Sequence, residues 1–297
     1  MFSWQHFVWI GISVLQIIVF HFLFKKLNLK LNTFLYFSVV YIFVQEMIQM
    51  FAMMYYVPYD SSNVLGQAGQ YAPYFEPKDF PLHMCSIQFI VLFIAAKAKD
   101  MEKKKKALAF FFPTAIFGAS MALILSNVFT IKGPHDYWMT QCFISPVYYS
   151  FFFVHAYLLF AGLYIARNKD IQFHFKDCFN GIFIMFCLGF GSLLVNSLCT
   201  VVTRDAEGNI KTIISNANLF FTTDIPIDAI KLTEKWQYIL YFIVLMILVV
   251  LVFILFFLPF YFKDKIEAKK KINNNDLDIE NTCVLVNQSI EEPKDSN

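Results

Sequence analysis

Apolar residues in this chain do not alternate along strands or recur on one helical face. They run in unbroken blocks of about twenty, separated by short polar stretches. A helix needs about 20 apolar residues to cross the hydrocarbon core of a bilayer. Seven blocks qualify, over residues 4–24, 32–57, 79–97, 107–126, 146–166, 179–202 and 236–262. The pattern predicts an all-α, polytopic membrane helix bundle with seven transmembrane helices. The first block lacks a basic leader and a small-residue cleavage site, so it reads as a retained helix and not a signal peptide. Residues 264–297 change to Lys, Asn, Asp and Glu without hydrophobic periodicity. The expected organisation is a transmembrane domain over 1–263 and a disordered cytoplasmic tail over 264–297.

Composition agrees with that class. Hydrophobic residues make up 58% of the 297 and charged residues only 15%, with 37 Phe, and a water-soluble domain could not cover so much apolar surface. The net charge of +2 conceals where the charges lie. Of the 24 basic residues, 17 follow blocks one, three, five and seven, among them Lys25, Lys26, Lys103 to Lys106, Arg167, Lys263 and Lys269 to Lys271. Basic residues near helix ends stay in the cytoplasm, so the N-terminus is expected outside and the C-terminus inside. The lysines flank apolar spans and form no aromatic-studded basic face, which excludes nucleic acid as a partner. Phosphate-loop, CxxC and HExxH patterns are absent, and no metal or cofactor is expected. The six cysteines read as small apolar residues of a bundle. No internal repeat supports a transporter of duplicated halves.

The chemistry then rests on the few polar groups at membrane depth, which are costly and therefore point to function. Asp79 and Pro81 suit the cap and first turn of helix three, which places His83, Cys85, Ser86 and Gln88 at its start. His83 and Cys85, two apart, face nearly opposite sides, whereas Gln88 shares the face of Cys85. A base for the thiol therefore comes from another helix. His155 meets that requirement, in helix five at a comparable depth in the outer half of the bilayer, and an imidazole is the usual activator of a thiol nucleophile. Glu46 and Gln49 share one face of helix two, with Glu46 suited to orient an imidazole. Asn196, Asn216 and Asn218 are candidate donors to a headgroup or a developing oxyanion. Each has a plainer reading: a cysteine as packing, Glu46 and Gln49 as interhelical bonds.

The segment Phe-Pro-Leu-His-Met-Cys at 80–85 resembles the Leu-Pro-Leu-His-Leu-Cys signature of bacterial YwaF-type integral membrane proteins and of their eukaryotic relative, transmembrane protein 164. Residues 151–164, containing His155, resemble that family's second His-bearing helix. Asn196, the run 216–221 and Trp236-Gln237-Tyr238-Ile239 follow in the family's order, so the likeness covers roughly 35–262. It implies a seven-helix fold similar to membrane lipid acyltransferases and hydrolases, with Cys85 and His155 as an acyl-enzyme pair acting on phospholipid acyl chains. Ser86 departs from the acidic residue that bacterial members often carry after the motif cysteine. The expected function is a cell-membrane enzyme that transfers or hydrolyses a lipid acyl chain, with a membrane phospholipid or acyl lipid as partner. The alternative is a non-enzymatic binding or transport protein using the same polar cluster.

Overall fold

In a computed structural model, described over residues 3–53, 55–58, 71–74, 83–126, 142–204, 210–215, 219 and 234–290, the chain is a helical bundle with two small hairpins. The helices are α1 (Trp4–Leu27), α2 (Leu31–Met53), α3 (Gln88–Lys97), α4 (Met101–Ile124), α5 (Pro146–Arg167), α6 (Cys178–Leu198) and α7 (Lys235–Ile290). The first hairpin pairs β1 (Tyr55–Pro58) antiparallel with β2 (Tyr71–Tyr74), and the second pairs β3 (Thr200–Arg204) with β4 (Ile210–Ser215).

Six of these helices are long and apolar enough to cross a membrane; α3 is not. Its ten residues span about 15 Å, half a hydrocarbon core. The helix expected to start near Asp79 starts instead at Gln88, after a turn over residues 84–87. Asp79 and Pro81 themselves lie outside the described residues. Only one regular bond, from the Ile87 amide to the His83 carbonyl, crosses the turn.

Four other boundaries differ from the apolar pattern. The block expected to run to 57 is helical to Met53 and continues as β1, and the block expected to run to 202 gives way to β3 after Leu198. In both places the residues that leave the helix, Tyr-Tyr-Val and Thr-Val-Val-Thr, are β-branched or aromatic. Helix α4 begins six residues before its apolar block because Asp100 caps it, its carboxylate accepting from the Glu102 amide. Helix α7, whose apolar block covers 236–262, continues as helix to Ile290. No Gly or Pro interrupts residues 260–290, so nothing local stops a helix already nucleated in the bilayer.

Helices α4 and α5 form the centre. Helix α5 packs against α1, α2 and α4, while α4 also meets α3, α6 and α7. Two glycines allow this crowding. A Cβ at Gly162 of α5 would come within 2.7 Å of Ile116 and 3.2 Å of the Phe112 carbonyl oxygen. A Cβ at Gly181 of α6 would come within 2.4 Å of Phe253 and 2.8 Å of the Ala109 carbonyl oxygen. Ala109 lies one turn before Pro113, which has no N–H to return to that carbonyl. Small residues at such crossings are what let helices approach closely in lipid. In contrast, α1 and α7 leave most of their apolar surface uncovered by protein.

The two ends of the bundle are chemically distinct. At one end, the Lys104 ammonium donates to the side chain of Asn32, and Lys105 lies 3.0 Å from Glu102 and 3.6 Å from Asp177. There too His174 Nδ1 meets Asp264 at 2.8 Å, and the other Asp264 oxygen accepts from the Phe175 amide. These contacts gather the start of α2, the start of α4, the approach to α6 and the far part of α7 at one end. At the other end, His6 Nε2 donates to the Leu123 carbonyl and Trp9 Nε1 to that of Cys142. Those bonds bring together the start of α1, the end of α4 and the approach to α5.

Candidate functional site

The turn over 84–87 and the first residue of α3 aim their side chains in different directions. His83 is exposed, while Cys85 is half-buried and turns toward α4, with its Sγ 3.7 Å from where a Cβ at Gly118 would lie. Ser86 is buried and hydrogen-bonds the carboxyl of Glu46 on α2. Cys85 is also within electrostatic range of that carboxyl. Gln88, 1% exposed, donates from Nε2 to both the Met84 carbonyl and Thr114 Oγ1, each at 3.0 Å. The turn thus draws a thiol, a hydroxyl and an amide into the crevice between α2 and α4.

Thr114 and Gly118 are one turn apart on α4, so the Gln88 amide and the Cys85 sulfur sit about 6 Å apart along the same face. The Thr114 hydroxyl donates back to the Phe110 carbonyl at 2.7 Å, which leaves its oxygen free to accept from Gln88. Among the described residues no group donates to Gln88 Oε1, although it is buried. Such an acceptor costs about 1–3 kcal/mol when left unpaired.

His155 stands on the neighbouring helix α5. It is buried on α5 and packs on the Phe151 ring at a 4.3 Å centroid separation. Its Nδ1 lies 2.6 Å from the Phe151 carbonyl oxygen. A carbonyl only accepts, so Nδ1 carries the proton and Nε2 is the basic nitrogen. His155 precedes Gly162 by two helical turns and therefore lies on the α4 side of α5. Gly118 and the α5-facing Ala115 of α4 are three apart, about 60° around the helix. Cys85 thus turns toward Gly118 of α4, and His155 lies on the α4-facing side of α5. Among the described residues no hydrogen bond joins them.

Counted from the helix ends alone, Gly118 and Glu46 lie at similar depth and His155 lies deeper. Gly118, Glu46 and His155 lie six, seven and nine residues from Ile124, Met53 and Pro146, the helix ends farthest from the lysines. At 1.5 Å per residue they are roughly 9, 10 and 13 Å inside that end.

The remaining candidates divide. Glu46 bonds Ser86, on the α3 side of α2. Helices α2 and α5 are in register through the Ser150 hydroxyl donating to the Gln45 carbonyl and the Ser38 and Tyr157 hydroxyls 2.6 Å apart. In that register His155 is level with residue 40, about 9 Å deeper than Glu46. Gln49 is half-buried one turn beyond Glu46. Asn196 is fully buried at the end of α6, where its amide donates to the Leu219 carbonyl and accepts from the Leu219 amide, at 3.1 and 2.9 Å. It clamps the segment after β4. Asn216 and Asn218 lie outside the described residues.

Thr114, Gly118 and the partnership of Ser86 with Glu46 are absent from the sequence expectations. The signal for the first two was present: a Thr and a Gly-Ala-Ser run one turn apart inside an otherwise bulky helix mark a close crossing. The Ser86–Glu46 contact had no local signal, because it depends on how the turn at 84–87 meets α2.

A membrane bundle with its Cys-bearing turn before a short third helix and a buried His on its fifth is the setting for the sequence comparison. The TMEM164 family model matches residues 1–258. The chain belongs to the TMEM164 family. The match takes in α1 as well as the stretch that carries the motif resemblance, and ends within α7. This TMEM164-family member is a multi-pass membrane protein, with six helices suited to spanning. No curated protein matches the chain, and no solved structure does.

Proposed function

We propose that this TMEM164-family protein moves or hydrolyses a lipid acyl chain through a Cys85 thioester, with His155 as its base. What supports the reading is a thiol that turns toward Gly118 of α4, together with a buried imidazole whose Nδ1 is bonded to the Phe151 carbonyl, on the α4 side of α5. In the reaction, His155 Nε2 takes the thiol proton as Sγ attacks the ester carbonyl, and returns it to the departing alkoxide. The likeness of residues 80–85 and 151–164 to the YwaF-type and transmembrane protein 164 motifs supports the same pair. Glu46 holds Ser86, and through it the turn that presents the thiol.

We further propose that α3 and the segment before it complete a seventh crossing, with the N-terminus outside and the lysine-rich end in the cytoplasm. The site then faces the outer leaflet of the cell membrane, and substrate enters laterally from the bilayer. Thiols engineered at residues 66 and 208 should label from outside intact cells, and thiols at residues 103 and 275 should not. Outside labelling at 103 would reverse the orientation and move the site to the cytoplasmic leaflet.

The direct test is mass spectrometry of purified protein for an acyl adduct on Cys85 that hydroxylamine removes. The adduct should be present in the wild type and absent in Cys85→Ala. A lipid-binding protein without catalysis is the second reading, favoured by the lack of a direct Cys85–His155 hydrogen bond. It predicts no adduct, and undiminished lipid binding in Cys85→Ser.

A further inference from the structure

Gln88 has one half of its amide fully engaged and the other half unanswered. Both Nε2 hydrogens are committed, to the Met84 carbonyl and to Thr114. These two partners also fix which end of the amide is nitrogen, since a carbonyl can only accept. What remains is Oε1, buried, unpartnered, and about one helical turn from the Cys85 sulfur along α4. An oxygen there cannot stabilise an oxyanion. It can only receive a hydrogen, so whatever it meets must carry an O–H or N–H. Gln16 Oε1 on α1 is also buried and without a partner among the described residues, but its Nε2 is held by Tyr41 of α2 and the Phe153 carbonyl of α5.

We propose that Gln88 Oε1 receives the O–H of the molecule that takes the acyl chain from Cys85, so that Gln88 seats the acyl acceptor. This rests on the thioester reading above and adds the chemistry of its second half. The acceptor oxygen attacks the thioester carbonyl, a C–O bond forms and the C–S bond breaks. The proton leaves the oxygen for His155 Nε2 and passes to the sulfur, restoring the thiol. Water and a lipid hydroxyl share the required O–H. They differ in one respect: water keeps a second hydrogen on Gln88 during attack, whereas an alcohol gives up its only one.

The experiment uses the full-length protein in detergent micelles, acylated with p-nitrophenyl dodecanoate, with and without 1-octanol. Release of p-nitrophenol reports acylation, and intact-protein mass spectrometry follows the lifetime of acyl-Cys85. Gln88→Leu should lengthen that lifetime about tenfold or more while changing acylation much less. Gln16→Leu, the same lesion elsewhere, should leave the lifetime unchanged. Thr114→Val, which removes a partner of Nε2 but keeps Oε1, should stay within about threefold. If water is the acceptor, the slowed product is free dodecanoate; if a lipid hydroxyl is, it is octyl dodecanoate. Should Gln88→Leu fail to fold, Gln88→Met, which keeps the unbranched length, takes its place. Wild-type decay of the adduct in the Gln88 variant in both arms would overturn the proposal, as would equal slowing by Gln16→Leu or Thr114→Val. A wild-type protein that acquires no acyl group on Cys85 would instead overturn the thioester reading, and this role of Gln88 with it.

Discussion

The lysine-rich end of the bundle and the crevice around Cys85 are both polar, yet they are built on opposite terms. At the lysine end the buried charges are answered. Lys105 has Glu102 and Asp177, Asp264 accepts from both His174 and the Phe175 amide, and Asp177 also accepts the His174 amide. Around Cys85 the polar groups are less complete: Gln88 Oε1 has no donor among the described residues, and the Cys85 sulfur lies near Gly118 and within electrostatic range of Glu46. Polar groups that complete one another hold helices in place. Polar groups left incomplete in a buried place cost stability, and they persist where a ligand completes them. The lysine end therefore serves architecture, and the proposed function gives the region around Cys85 its chemistry.

Cys85→Ala should separate the two most strongly. Turnover of an acyl ester is expected to fall at least about a thousandfold, as when a nucleophile is deleted, with thermal unfolding barely changed. Unfolding at a lower temperature with activity retained would mean that the crevice is architecture after all. Lys105→Ala should do the reverse. It strands the nearly buried Asp177 carboxylate, at a cost of about 3 kcal/mol, while the protein that remains folded keeps its activity per molecule; denaturation in a fixed detergent checks it. Asn196→Ala removes both bonds to the Leu219 backbone, for about 2 kcal/mol of stability, again with little effect on the chemical step. The smallest change is expected from Glu46→Gln. An amide oxygen still accepts from Ser86, so activity should stay within about tenfold of wild type. A loss approaching that of Cys85→Ala would show that the Glu46 charge acts in the reaction itself.

The membrane class, the position of most spans and the segregation of lysines to one end were legible in block length and charge placement, because each is set by the bilayer and not by packing. The facing of Cys85 and Gln88 toward one neighbour also followed from their spacing. The start of α3 did not. An apolar count over 79–97 sees enough hydrophobicity for a span, but backbone geometry at a Pro followed by His, Cys and Ser is decided by tertiary partners such as Glu46 and Thr114. Likewise the sequence suggests Glu46 for an imidazole, whereas the turn at 84–87 brings Ser86 to it first. Asn196 stood out as a polar residue in an apolar helix, yet its work is a backbone clamp, which only the fold reveals. Two adjacent lysines at the start of α4 read as solvated charge until Asn32 and Asp177 arrive beside them from distant parts of the chain.

The bond between the Ser150 hydroxyl and the Gln45 carbonyl, with that between Ser38 and Tyr157, has a consequence for how the protein is made. Helices α2 and α5 are the two least apolar of the long spans, and α7 is the most apolar. A strongly apolar helix partitions from the translocon into lipid by itself, whereas one carrying His155, Ser150 and Tyr157 gains far less from doing so. Helix α2 emerges well before α5 and has to wait near the insertion machinery until its hydroxyl and carbonyl partners arrive. Biogenesis should therefore be held up at α5, and a ribosome stalled just before Pro146 would leave α2 crosslinkable to the translocon while α1 has already moved into lipid.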